Sequence, residues 1–143
     1  MGTVAEIVGN KGEVVTVGQH TTVLDATKVM NDRHIGSVLV VGPDGAVAGI
    51  LTERDLLRRV LASERDPKTT RVQEVMTREV VFCSPATTID ELRELFRSRR
   101  IRHVPVKGED GLCAMVSIGD VNAWDAQQLA ATVSSLTDYI TRA

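Results

Sequence analysis

Aromatic residues are nearly absent: one Trp, one Tyr and two Phe make up 3% of the 143 residues. Single-stranded nucleic acid is held by stacking successive bases on aromatic rings, so that function is disfavoured. The core has to be built from Val, Leu, Ile, Ala and Met. Cysteine is equally scarce. Cys83 and Cys113 are too few for a disulfide framework and too far apart for a CxxC site, so they read as reduced, partly buried thiols. Neither sign of charge dominates: 17 Lys and Arg face 19 Asp and Glu, for a net charge of −2. There is no overall basic bias to draw in DNA or an anionic membrane. No apolar run approaches the roughly 20 residues that span a bilayer, and no stretch near the start has the basic and apolar regions of a signal peptide. These features point to a cytoplasmic protein. No pair of His, Cys or acidic residues has a spacing that holds zinc. No nucleophile–base pair or glycine-rich phosphate loop is present either, so the chain reads as a binder and not an enzyme.

What the chain does have is apolar content of 43% against 25% charged residues, enough for a folded core, and an internal repeat. Val14–Gly45 laid over Val80–Gly111 with a shift of 66 gives eleven identities in 32 pairs, where composition alone gives about two. The identities include Val14/Val80, Thr22/Thr88, Ile35/Ile101, Val38/Val104 and Asp44-Gly45/Asp110-Gly111. Deleting one residue in the next turn aligns Gly49-Ile50-Leu51-Thr52 with Ala114-Met115-Val116-Ser117, and Asp55 with Asp120. Upstream, Val4–Val8 resembles Val72–Met76. A repeat of this length is one structural unit used twice.

Each copy reads as βαββα. Val14–Val17 is a short β-branched strand. Thr22 to about Arg33 is a helix whose apolar positions Val23, Ala26 and Met30 recur as Ile89, Leu92 and Phe96. Val38–Val41 is a continuous apolar run, the pattern of a strand buried on both faces. Gly42-Pro43-Asp44-Gly45 is a turn, Val47–Leu51 returns as a strand, and Glu53 to about Ala62 is a second helix. The expected fold is mixed α/β (α+β), with two half-domains, 1–66 and 67–143, packed together. Ser63–Thr70 is the polar connection between them. Leu129, Val133, Leu136 and Ile140 fall at i, i+4, i+7 and i+11, which predicts one long amphipathic helix from about Asp120 to Thr141.

Four helices begin with one chemistry: Thr22-x-x-Asp25, Thr52-x-x-Asp55, Thr88-x-x-Glu91 and Ser117-x-x-Asp120. A capping box explains all four. Thr52/Asp55 and Ser117/Asp120 differ in following a strand directly, at its carboxyl end, where open sheets leave a ligand crevice. Free N–H groups there attract a phosphate, and a carboxylate one turn on can accept hydrogen bonds from a ribose diol.

Two βαββα repeats, each carrying apolar-Gly/Ala-apolar-apolar-Ser/Thr-x-x-Asp, resemble a CBS-domain pair, the Bateman module named for cystathionine β-synthase. The matching segments are Gly49–Asp55 and Ala114–Asp120, supported by His34–Val41 and Arg100–Val106. The resemblance implies a regulatory sensor that binds an adenine nucleotide (AMP, ATP or NAD-type) or S-adenosylmethionine in clefts between the repeats. It implies ribose contacts from Asp55 and Asp120 and phosphate contacts from Thr52 and Ser117. Ile101, Arg102 and His103 open a buried strand where similar pairs border the nucleotide phosphate, and Arg54 offers a cation to the first cleft. It also implies a homodimer that signals to an effector protein. No obligatory cofactor and no metal are expected. The alternatives are a ligand-free structural or protein-interaction module and, less favoured, nucleic-acid binding through Arg97–Arg102.

Overall fold

The computed structural model describes residues 2–9 and 13–142. They form two compact units, one spanning Glu13–Val81 and the other joining the N-terminal segment to Phe82 onward.

In the first unit, β1 (Thr16–Gly18), β2 (Ser37–Val41) and β3 (Val47–Thr52) form a sheet in the order β1-β2-β3. β1 pairs parallel with β2, and β2 antiparallel with β3. Helix α2 (Val23–Arg33) crosses from β1 to β2, and the expected positions Val23, Ala26 and Met30 are all buried. They pack with Val38, Val40, Leu51 and Val60 in one core cluster. β2 is buried at four of its five positions, as its unbroken apolar run requires. The β2–β3 turn closes through Gly45 N–H to Gly42 O (3.0 Å), with Gly45 at φ 82°, a conformation glycine adopts without a Cβ clash. After β3 the chain enters α3 (Glu53–Asp55) and then a π-helical stretch, Leu56–Leu61. The helix expected for 53–62 is present, with its second part wound as a π-helix: the Ala62 N–H reaches back five residues to Leu57 O, the hydrogen-bond pattern of a π-bulge.

The second unit repeats this plan with β4 (His103–Gly108), β5 (Gly111–Ser117), α5 (Ile89–Arg99) and α6 (Ile118–Arg142). Ile89, Leu92 and Phe96 are buried at the positions of Val23, Ala26 and Met30. The expected leading strand of this copy shrinks to one parallel bridge, Cys83 with Val106, in the register of Val17 with Val40. Two prolines account for the loss. In the first unit Leu39 N–H donates to Val15 O (3.2 Å) and Gln19 N–H to Val41 O (3.0 Å). The aligned residues are Pro105 and Pro85, which have no N–H to give. Only Cys83 N–H to Pro105 O (3.0 Å) and Lys107 N–H to Cys83 O (2.8 Å) remain.

The short leading helices are exchanged relative to chain order. α4 (Val72–Val75) precedes the second repeat but packs with the first, and α1 (Val4–Val8) precedes the first but packs with the second. The bonds match one for one. Val72 N–H donates to Thr21 O, Gln73 N–H to Gln19 O, and Val23 N–H to Thr70 O. In the other unit Val4 N–H donates to Thr87 O, Ala5 N–H to Pro85 O, and Ile89 N–H to Gly2 O. The division at 66/67 thus describes the repeats in sequence, while the compact units are grouped differently. A helix of four or five residues is not stable alone, and each is held by these bonds and by buried valines, Val72 and Val75 in α4 and Val4 in α1. Gly49 makes the first docking possible. A Cβ there would lie 2.7 Å from both Met76 Sδ and Thr77 O, because Thr77 bridges to Ile50 through two 2.9 Å backbone bonds.

α2 and α5 end alike. His34 (φ 55°) and Arg100 (φ 53°) adopt the left-handed conformation at the C-cap, and the next amides, Ile35 and Ile101, bond back to Met30 O and Phe96 O. These bonds satisfy carbonyls that a helix end leaves open. Cys83 is buried, whereas Cys113 is exposed, so only one of the two thiols is sheltered as expected.

Candidate functional site

The residues singled out in the sequence fall into two sets, one per unit, each at a strand-to-helix junction. In the first, β3 ends at Thr52, which pairs with Ser37, and the Glu53 N–H donates to Gly36 O (3.0 Å). In the second, β5 ends at Ser117, which pairs with His103, and the Ile118 N–H donates to Arg102 O (3.0 Å). The backbone of 102–103 is therefore pinned beside the start of α6. Arg102 is exposed and His103 half-buried. Ile101 packs partly buried against the core of this unit, so its side chain supports the strand start. Arg54 lies in the first turn of α3 and is exposed.

Both junctions carry a complete capping box. Asp55 N–H donates to Thr52 Oγ1 (3.3 Å), and the Asp55 carboxylate accepts from Thr52 N (3.0 Å) and Thr52 Oγ1 (3.2 Å). Asp120 N–H donates to Ser117 Oγ (3.2 Å), and its carboxylate accepts from Ser117 N (2.8 Å) and Ser117 Oγ (3.1 Å). At α2 and α5 the hydroxyls of Thr22 and Thr88 cap the amides of Asp25 and Glu91 (3.1 Å each). The full capping boxes expected at these two starts reduce to that one-way bond. The bonds at the two junctions also engage the first and third amides of each helix. The second-position amides, Arg54 and Gly119, are left as the N–H groups these bonds do not use, so the expected crown of free amides is narrower than the pattern implied.

The two carboxylates differ in burial, and Asp55 has partners beyond its own capping box. Asp55 is 7% exposed, and its second oxygen accepts from Thr77 Oγ1 (3.0 Å), with Arg59 Nε at 4.0 Å. Asp120 is half-buried. Thr77 was invisible to motif reading because its role depends on the bridge to Ile50. One signal existed in the repeat: extending the match of Val4–Val8 with Val72–Met76 by one residue sets Thr77 against Gly9, which has no hydroxyl.

Among the described residues no group of three or more His, Cys, Asp or Glu is arranged to hold a metal ion, and no helix is long and apolar enough to cross a membrane.

A doubled strand-hairpin-helix unit with a Ser/Thr-x-x-Asp junction at the end of each hairpin is the architecture of a tandem regulatory module. The CBS-domain family model matches residues 4–62 and 72–126, and the chain belongs to this family, whose pairs are generally regulatory modules. It is 42% identical over 104 residues to a mitochondrial CBS domain-containing protein of Arabidopsis thaliana, covering 70% of this chain and 50% of the relative. It thus spans half the length of that relative. It is 30% identical over 119 residues to Hypoxic response protein 1 of Mycobacterium tuberculosis, covering 83% of this chain and 82% of the relative. Among solved structures, a signal-transduction protein with CBS domains from Burkholderia ambifaria superimposes with a TM-score of 0.79 at 41% identity, covering 83% of this chain and 90% of that one. A hexameric CBS-CP12 protein from bloom-forming cyanobacteria superimposes with a TM-score of 0.76 at 32% identity, covering 85% and 69%. A Hypoxic Response Protein I structure with two coordinated zinc ions superimposes with a TM-score of 0.70 at 28% identity, covering 85% of this chain and 97% of that one.

Proposed function

We propose that this CBS pair is a cytoplasmic sensor of an adenine nucleotide or S-adenosylmethionine, and that the Ser117/Asp120 junction is its stronger site for a phosphorylated ligand. The observation that supports this reading is the contrast between two otherwise matched junctions. Both have the hydroxyl, the carboxylate and the pinned strand start. The first sets Gly36-Ser37 beside it, with Ser37 buried, and the second sets Arg102-His103 there. An exposed guanidinium beside a helix N-terminus suits a phosphate, and a charge-assisted hydrogen bond contributes about 1.5–3 kcal/mol. That is roughly tenfold or more in affinity. Asp55 is buried, with its carboxylate oxygens on Thr52 and Thr77, which suits a structural role. Arg54 partly offsets the difference by bringing a cation to the first junction. Ligand binding would act through two packings of a homodimer, to the extent that affinity differs between them, and an effector protein would read the change.

Titration calorimetry and melting curves with AMP, ADP, ATP, NAD, NADP and S-adenosylmethionine test the reading. Ligand at about 100 times Kd adds about 2.7 kcal/mol of stability. Asp120→Ala and Arg102→Ala are expected to remove the tight AMP event, and Asp55→Ala to lower the melting temperature while leaving that event in place. Flat melting curves across the panel at millimolar concentration would favour a ligand-free interaction module. Loss of the tight event in Asp55→Ala alone would reverse the assignment of sites.

A further inference from the structure

The segment of α6 from Ala126 onward has no cover among the described residues. Val121 is the only fully buried residue of the 25-residue helix, and from Ala126 onward every described side chain is exposed. Exposure of its large apolar residues runs from 55% at Val133 to 78% at Tyr139. Five such side chains, Leu129, Val133, Leu136, Tyr139 and Ile140, present on the order of 400 Å² of apolar surface, a size at which a patch marks an interaction site. The segment is also a poor helix on its own. Thr132, Val133, Ser134, Ser135, Thr137 and Thr141 all have weak intrinsic helix preference, and an isolated helix of this length is marginal in water even for alanine-rich sequences. Something has to pack on it.

The order of the residues specifies the partner. Ala126, Val133 and Ile140 are seven apart, and Leu129 and Leu136 fall three residues after the first two of them. This is a heptad seam with β-branched residues at two of the three a positions and leucine at both d positions, the combination that, among parallel coiled coils, favours two strands. The flanking e and g positions are Ala130, Thr132, Thr137 and Tyr139, none of them charged. An identical strand laid in register therefore meets no like-charge repulsion, while a charged helix would find no complementary residue there.

We propose that residues 126–142 form one strand of a parallel two-stranded coiled coil, and that the other strand is the same segment of a second copy of this chain. This rests on the homodimer proposed above, and goes further in naming the seam and its direction. The test places single cysteines in the full-length chain, in a Cys113→Ser background, and oxidises with a glutathione mixture. Leu129→Cys and Leu136→Cys are each expected to give a disulfide-linked species of twice 15.5 kDa, and Ser135→Cys, on the outer face, is not. An antiparallel pair brings at most one of the two d positions to its own symmetry mate. Cross-linking at only one of them, at neither, or equally at Ser135 overturns the proposal. Light scattering on the unmodified chain separates the two ideas. A dimer whose d-position cysteines do not cross-link keeps the homodimer and rejects this seam, and a monomer at micromolar concentration rejects both.

Discussion

Gly49→Ala tests whether the exchanged helix α4 is held on the first unit by close backbone approach. The added Cβ would sit 2.7 Å from Met76 Sδ and Thr77 O and 2.9 Å from Met76 Cγ. The methionine sulfur can rotate away, but the carbonyl cannot, because it accepts from Ile50 N at 2.9 Å. Relief therefore requires the 76–77 segment to lift from β3. Overpacking of this kind costs about 1–3 kcal/mol. Lifting also stretches the two Ile50–Thr77 backbone bonds and draws the Thr77 hydroxyl from the Asp55 carboxylate, at about 0.5–1.5 kcal/mol for each bond lost. With one of these three bonds lost the total comes to about 1.5–4.5 kcal/mol, or about 5–14 °C in Tm for a chain of this size. The second repeat supplies the control, since the aligned residue is Ala114. Ala114→Gly adds no clash and costs about 1 kcal/mol through strand flexibility. Urea titration of both variants, followed by circular dichroism, reads the difference. If Gly49→Ala loses less than Ala114→Gly, the close-approach argument is refuted.

Two further outcomes follow from local geometry. Burial, with the Cys113 thiol as a smaller contribution, raises the Cys83 thiol to about 11, and Cys113 is exposed. One thiol per chain should therefore react rapidly with a disulfide reagent at pH 8 and the other only on unfolding; two fast thiols in the native protein would contradict the burial of Cys83. His34→Gly relieves a non-glycine residue at φ 55° without touching the core, and should stabilise the protein by about 1 kcal/mol; an unchanged denaturation midpoint would show that the His34 side chain compensates for its backbone.

The doubled βαββα plan, the buried faces of α2 and α5, the turn glycines and the two Ser/Thr-x-x-Asp junctions were legible in the sequence. Each of these features is written in residues close together in the chain, as a period, a cap or a turn. A repeat also shows such local signals twice. Even the loss of the second parallel ladder was there to be read, since Pro85 and Pro105 stand where Gln19 and Leu39 donate. What only the tertiary structure decided was which distant segments meet. Helices of four or five residues carry too few apolar positions to announce a partner, so the placement of α1 on the second unit and α4 on the first waited on the matching sets of backbone bonds. The different burial of Asp55 and Asp120 had the same origin. Their motifs are alike, but Thr77 reaches Asp55 from 22 residues away, and only because Gly49 lets that strand of chain come close enough for a hydroxyl to find the carboxylate.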